Sequence, residues 1–385
     1  MTFPVVGIVG GGQLARMTLE AGIPLGVGFR VLSDGPGDSA ARVAPEVTVG
    51  DYRDLDTLRA FARGCDVLTF DHEHVPAAHL RALEAEGVTL RPGAAALIHA
   101  QDKGVMRARL TELGIPCPRH RIVDGPEDVR RFAEADEGAA GWPVVLKTVR
   151  GGYDGKGVWV VRSAEAARAT EDPFRAGVPV LAEELVDFTR ELAAGVVRSP
   201  HGQAVAYPVV ESVQVDGVCD TVIAPAPGLP EPLALHAQEL ALRVAKELDV
   251  TGHLAVELFE TADGRLLVNE LAMRPHNTGH WTQDGAVTSQ FANHLRAVLD
   301  LPLGDPRPRA PWTVMTNVLG GDYPDLYPAF LHCMARDPGL KIHLYGKDVK
   351  PGRKVGHVTA FGADLDEVRE RARHAADYLR GVIDE

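Results

Sequence analysis

The 385-residue chain is predicted to be a mixed α/β and α+β protein of three domains, and three observations predict it. The first 92 or so residues alternate strand and helix signals, the order that a parallel sheet flanked by helices requires. From "GWPVVLK" to about Leu301 the pattern changes to short apolar runs broken by Gly and Pro, interrupted by one helical stretch. A proline-rich connector, "LPLGDPRPRAP", then separates a tail of short strands that ends in an amphipathic helix.

In order, "PVVGIVG" is a continuous apolar run of the kind found in strands buried on both faces, and "QLARMTLEAG" follows with helical spacing. "FRVLSD" and "CDVLTFD" read as strands, "LDTLRAFAR" and "PAAHLRALEAEG" as helices. "DKGVMRARLTELG" is a further helix, stopped by Gly114 and by prolines at 116 and 118. "EPLALHAQELALRVAKELD" is the helix of the central region. In the last helix the stripe Val368, Ala372, Ala375, Leu379 and Val382 is expected to pack as core. The boundaries expected are 1–95, 96–303, with a glycine-loop portion near 115–180, and 304–385.

Composition narrows the function. A formal charge of −13 argues against nucleic-acid or anionic-membrane partners, so any polyanionic ligand must be held by local basic groups or backbone amides. The four cysteines, Cys65, Cys117, Cys219 and Cys333, are scattered without paired spacing, which suggests reduced thiols in a cytoplasmic protein. The opening residues enter a strand directly, without the pattern of a leader, and no apolar run approaches the roughly 20 residues that span a bilayer.

Two glycine loops carry the chemistry. "GIVGGGQLARM" places Gly10, Gly12 and Ala15 at dinucleotide-fingerprint spacing after a strand, with Asp34 about 20 residues on. A nicotinamide cofactor, an empty tight turn and a phosphate-bearing substrate all fit that loop, because its physics is only close backbone approach to an anion at a helix N-terminus. "KTVRGGYDGKG" is different: it joins strand to strand, and Gly157 follows Lys156 where a P-loop needs Ser or Thr. Such a hairpin can fold over a triphosphate with its N–H groups, and Lys147 on the incoming strand can neutralise charge. In "AVELFETADGRLLVNEL", Asp263-Gly264 is a strong two-residue turn signal. Pairing Ala262 with Arg265 and counting outward sets Glu257 opposite Glu270. Two carboxylates so close repel unless a cation lies between them, and oxygen ligands suit Mg²⁺, with Asn269 a further donor.

These features, in this order, resemble the ATP-grasp superfamily, and within it the N5-carboxyaminoimidazole ribonucleotide synthetases of purine biosynthesis. The resemblance runs along nearly the whole chain, through "GIVGGGQLARM", "LTFDHEHVP", "VVLKTVRGGYDGKGVWVV", "YPVVESVQVDG", "VNELAMRPHNTGHWTQDG" and "HLYGKDVKPGRKVGHVT". It implies an ATP-grasp architecture: an N-terminal Rossmann-like domain, a central ATP-grasp domain and a small β-rich C-terminal domain. It implies ATP on Lys103 and Lys147 beneath a cover of Gly151, Gly152, Tyr153, Asp154, Gly155, Lys156 and Gly157. Adenine is expected on the backbone of Glu183, Glu184, Leu185 and Val186, ribose on Glu191, and Mg²⁺ on Glu257 and Glu270. 5-Aminoimidazole ribonucleotide is expected on Glu73, Tyr153, Arg274, His276, Lys347 and Arg353, with Gln13, Asn277 and Lys354 as further candidates. The family commonly has histidine at the position of Gln214, near the nucleotide, and "DRLxEK" where this chain has "DKGVMR", so individual ATP contacts differ; Arg107 supplies a lysine's charge without its geometry.

The implied reaction consumes ATP and bicarbonate by way of carboxyphosphate, with Asp154 managing the proton of the substrate amine, supported by Tyr153 and His276, while Lys347 and Arg274 hold carboxyphosphate or the substrate phosphate. A homodimer is expected from the resemblance alone. A sister ligase that activates formate or another carboxylate is the alternative. His72 and His74 bracket Glu73 without the HExxH spacing of a zinc site.

Overall fold

The computed structural model describes residues 3–134, 138–152, 157–170, 172–175, 177–321 and 323–384. Three sheets organise the described residues. The first is parallel, with strands Val5–Val9, Gly28–Ser33, Val47–Val49 and Val67–Phe70, ordered with Val5–Val9 between Gly28–Ser33 and Val67–Phe70. Apolar side chains on both faces explain the unbroken run: Val6, Ile8, Val9, Val31 and Leu68 are all buried. The short strand Val47–Val49 is an addition to the strands read from sequence, since three residues carry too little pattern to be seen.

A second, antiparallel sheet pairs His120–Val123, Val180–Glu184, Val144–Thr148 and Val158–Val161 in that order. It carries the second glycine loop between its last two strands, where Lys147 pairs with Val158. The third sheet has nine strands. It begins with the hairpin Gly252–Thr261 and Leu266–Ala272, continues through Phe188–Arg198, Val210–Val215 and Val218–Ala224, and is extended by the C-terminal strands Trp312–Leu319, Lys354–Gly362 and Lys341–Leu344. The last two regions of the chain therefore share one hydrogen-bonded sheet, because Trp312–Leu319 pairs directly with Val218–Ala224.

Helix ends follow the expected chemistry. Asp102 caps Lys103–Glu112 by accepting from Val105 N, and Asp364 caps Leu365–Arg380 by accepting from Glu367 N. The terminal helix stops at Gly381 in the left-handed region, φ 72°. Val368, Ala372, Ala375 and Leu379 are buried, each contributing up to about 1.5–3 kcal/mol of apolar burial for the larger side chains. Val382 corrects the expected stripe: it lies past the glycine cap and is 63% exposed, because the helix ends at Arg380, two residues earlier.

Candidate active site

The carboxylate hairpin has the expected pair for an unexpected reason. Thr261 N donates to Arg265 O and Gly264 N to Thr261 O, so the turn has three residues, Ala262, Asp263 and Gly264, with Gly264 at φ +76°. The two-residue turn predicted from Asp263-Gly264 is therefore corrected: Phe259 faces Leu267 and Leu258 faces Val268, one residue off the expected register. A bulge between Glu257 and Leu258 then inserts Asn269 and restores Glu257 opposite Glu270. The bulge has a second effect, for it turns the consecutive side chains of Asn269 and Glu270 toward the same cleft.

That cleft has a volume of about 470 Å³ and lies between the glycine-loop sheet and the nine-stranded sheet. Lys147, Thr148, Gly151, Gly152 and Gly157 line one wall, and Glu191, Gln214, Glu257, Asn269 and Glu270 the other. Glu73, which follows the first-sheet strand Val67–Phe70, and Lys103, Arg274, His276, Asn277 and Lys354 also line the cleft. Residues far apart in sequence and chosen for their chemistry thus meet in one space. Tyr153, Asp154, Gly155 and Lys156 lie outside the described residues.

A buried ion network braces this space. Lys147 Nζ is 2.8 Å from Glu183 Oε2 and donates to Asn269 Oδ1 at 3.1 Å. Arg107, fully buried, donates to Glu183 Oε1 at 2.5 Å and to the carbonyls of Val268 and Asn269 at 3.0 and 2.8 Å. Burial would raise the Glu183 carboxyl, but the attraction and hydrogen bonds of Arg107 and Lys147 outweigh it and hold the group at about 2. Arg107 is thus not a substitute phosphate contact; it ties the bulge to the strand behind Lys147. Nothing in its sequence spacing signalled that, because its three partners come from two distant strands.

Glu270 is ion-paired with Lys103, and Glu257 Oε1 lies 3.2 Å from His276 Nε2. His276 Nδ1 accepts from Thr278 N, so the proton sits on Nε2 and is directed at Glu257. Burial keeps this imidazole neutral, well below its ordinary range. Burial, then Glu270 and Glu191, push the Glu257 carboxyl well above the usual carboxylate range. Negative charge gathered in this way is what a divalent cation relieves, and the hard oxygens of Glu257, Glu270 and Asn269 fit Mg²⁺. Glu191 is itself raised by burial.

Arg274 Nε donates to Glu73 Oε2 at 2.8 Å, while the buried Glu73 Oε1 has no partner among the described residues. Lys347 Nζ donates to Gln13 Oε1 at 2.6 Å, which brings the C-terminal loop against the first helix, and Arg353 is exposed with a contact to Asp348 O. Gln13, Lys347 and Arg353 do not line the cleft itself. Of the predicted hinge segment, Glu183 is inward, Glu184 pairs with Arg119 at 3.1 Å, Leu185 is 45% exposed and Val186 is half-buried. Gln214 lines the cleft and donates to Ser212. His72 and His74 stack on one another, and among the described residues no group of three or more His, Cys, Asp or Glu is placed to hold a metal. Two aromatic residues were missed: Phe188 and Phe259 stack at 4.6 Å in the cleft wall, on neighbouring strands whose register sequence did not reveal.

The first glycine loop turns out differently. Gly12 N and Ala15 N both donate to the carboxylate of Asp71, at 2.6 and 2.9 Å. A Cβ on Gly12 would stand 2.2 Å from Asp71 Oδ2, so the glycine serves this internal contact. Two amides that a dinucleotide pyrophosphate would use are already occupied by an anion of the protein itself.

A glycine-rich connection whose described ends, Gly151, Gly152 and Gly157, line a cleft opposite paired carboxylates, between an antiparallel sheet and a larger one, is the arrangement of an ATP-grasp enzyme. Three family models match in succession: the ribonucleotide synthetase preATP-grasp domain over residues 3–101, the ATP-grasp domain over 108–291, and the phosphoribosylaminoimidazole carboxylase C-terminal domain over 313–371. The chain belongs to the N5-carboxyaminoimidazole ribonucleotide synthase family, ATP-grasp ligases that form a C–N bond. It is 54% identical to the synthase of Mycobacterium tuberculosis over 380 residues, which covers 98% of this chain and 88% of the relative. The solved synthetase of Thermus thermophilus matches at TM-score 0.86 and 39% identity, covering 99% of each chain. An Aspergillus clavatus synthase in complex with ADP and 5-aminoimidazole ribonucleotide matches at TM-score 0.88 and 32% identity, covering 98% of each. Among the described residues no helix is long and apolar enough to cross a membrane.

Proposed function

We propose that this chain transfers a carboxyl group from bicarbonate to the exocyclic amine of 5-aminoimidazole ribonucleotide at the expense of ATP, in purine biosynthesis. The observation that carries the reading is the one cleft lined by Lys103, Lys147, Gly151, Gly152 and Gly157 together with Glu257 and Glu270, Glu73 and Arg274. Membership of the family supports ATP and the ribonucleotide as substrates, and bicarbonate is part of the proposal.

ATP lies under the hairpin, its phosphates toward Lys103 and Lys147 and its base toward Glu183, Glu184, Leu185 and Val186. Glu257 and Glu270, with Asn269, would hold Mg²⁺, which when bound would supply charge neutralisation at the phosphates. A bicarbonate oxygen attacks the γ-phosphorus and the bond to ADP breaks, giving carboxyphosphate. Its C–O bond to phosphate then breaks to release CO₂ and phosphate; the amine nitrogen bonds to CO₂ and loses one proton to Asp154. Positioned lysines and amides act on charge as it spreads, which suits phosphoryl transfer. Arg274 and the free oxygen of Glu73 orient the ribonucleotide, with His276, Asn277 and Lys354 beside it; Gln13, Lys347 and Arg353 take its phosphate end. Exclusion of water by Gly151–Gly157 keeps carboxyphosphate from hydrolysis. The same reading makes the enzyme cytoplasmic and homodimeric, and light scattering at twice the chain mass is the result expected.

The test is ADP release with Mg·ATP, with and without the ribonucleotide, using bicarbonate or formate as the acid. Dependence on both ribonucleotide and bicarbonate is expected; turnover with formate alone would transfer the site to another acid. Asp154→Asn should lower the coupled rate far more than ATP binding, and an unchanged rate would remove Asp154 from the mechanism.

A further inference from the structure

Gln290 opens the helix Gln290–Val298, is completely buried and lies outside the cleft. A buried amide on a helix N-terminus is costly unless satisfied, and here its bonds converge on one loop. Oε1 accepts from His276 N at 2.9 Å; Nε2 donates to His276 O at 2.8 Å and to His280 Nδ1 at 3.0 Å. The side chain therefore pairs with both backbone groups of residue 276, as a neighbouring strand would, and spends its remaining hydrogen on His280. Gly279 is the complement, since a Cβ there would stand 2.3 Å from Gln290 Oε1. The helix start is locked to the same loop, for Gln290 N donates to Thr282 Oγ1 and that hydroxyl donates to Gly279 O.

From this geometry we infer that Gln290 is a positioning residue for the reaction, acting through His276: it fixes the backbone from which the imidazole reaches Glu257. A rotation of that backbone would swing Nε2 away from its 3.2 Å contact, and misplacement by about 1 Å can cost on the order of 100-fold in rate. His280 is held with Nδ1 as acceptor and the proton on Nε2. The inference rests on the proposed reaction for its kinetic readout, and on geometry alone for its spectroscopic one.

The experiment uses the full chain with Gln290→Met, which removes all three bonds at similar volume, and Gln290→Glu, which keeps the acceptor for His276 N. For Met, kcat for the carboxylation should fall by about 10-fold or more while KM for ATP changes by less than about 2-fold, since Lys103, Lys147 and Glu191 keep their places and only the His276 contact with Glu257 is loosened. For Glu, the loss should be intermediate. In ¹⁵N-histidine spectra, the Nδ1 signal of His280 should lose its hydrogen-bonded shift in the Met variant. A wild-type kcat in either folded variant, or an unmoved His280 signal, would overturn the inference; if Met fails to fold, the Glu variant decides by the same criteria. A wild-type enzyme that does not carboxylate the ribonucleotide would count against the reaction instead, and the imidazole spectra would still decide the clamp.

Discussion

The two glycine loops are written in similar letters and do opposite things. In the first, Gly10–Gly12, the anion at the helix N-terminus is the carboxylate of Asp71, donated from the end of a neighbouring strand. In the second, Gly151–Gly157, the flanking residues face a charged cleft in which Lys147 is held by Glu183 and Asn269. Glycine supplies close approach and nothing more; what approaches is set by the residues brought opposite. The amides of the first loop are taken by its own protein, whereas the described ends of the second line an open cleft.

The largest effect expected comes from the brace behind the second loop. Glu183→Gln removes the counter-charge of the buried Arg107 and should cost about 3–5 kcal/mol of stability, read from urea unfolding. The pH dependence has a definite sign: the folded carboxyl at about 2 lies below its ordinary 4.5, so its stabilisation is present above 4.5 and is lost as pH falls toward 2. The variant should be flatter with pH over that window; equal slopes would break the network as described.

Next, Glu270→Gln should lower kcat by about 10²–10³-fold in steady-state assays, the range for loss of one preorganised charge-stabilising group. A loss under about threefold would remove the carboxylate pair from the chemistry. Asp71→Ala reverses the logic at the first loop: about 1 kcal/mol of capping is lost, and sulfate should then raise Tm more than in the wild type. No gain from sulfate would mean that the amides are not an anion site.

The smallest effect concerns two buried histidines. His294 accepts from His253 N and meets Thr69 Oγ1, and burial lowers His294 to about 3 and His253 to about 4. Both fold neutral, so their stabilisation is full above the ordinary 6.5 and is lost as pH falls toward 4 and 3. Tm should decline below pH 6.5 in the wild type, and less steeply in His294→Gln.

How much of this was legible in the sequence differs by level. Strands and helices of the first sheet were plain, because period and capping are local. The Glu257–Glu270 pairing was reached by counting from a two-residue turn; the true turn has three, and the bulge at Asn269 offsets the error. Turn length and bulge are decided by packing that no short motif encodes. Asp71 and Arg107 were illegible as partners, since their bonds reach 59 and 161 residues away. Motifs carried the chemistry of the cleft; the supports behind it became visible only when the strands were placed.

The most direct test of the central claim is carbon-13 NMR of the reaction with ¹³C-bicarbonate, Mg·ATP and 5-aminoimidazole ribonucleotide at mildly alkaline pH. One carbamate carbon bonded to the substrate amine, appearing with equal ADP, is the result expected. ADP formed without any ribonucleotide-dependent carbamate signal would contradict it.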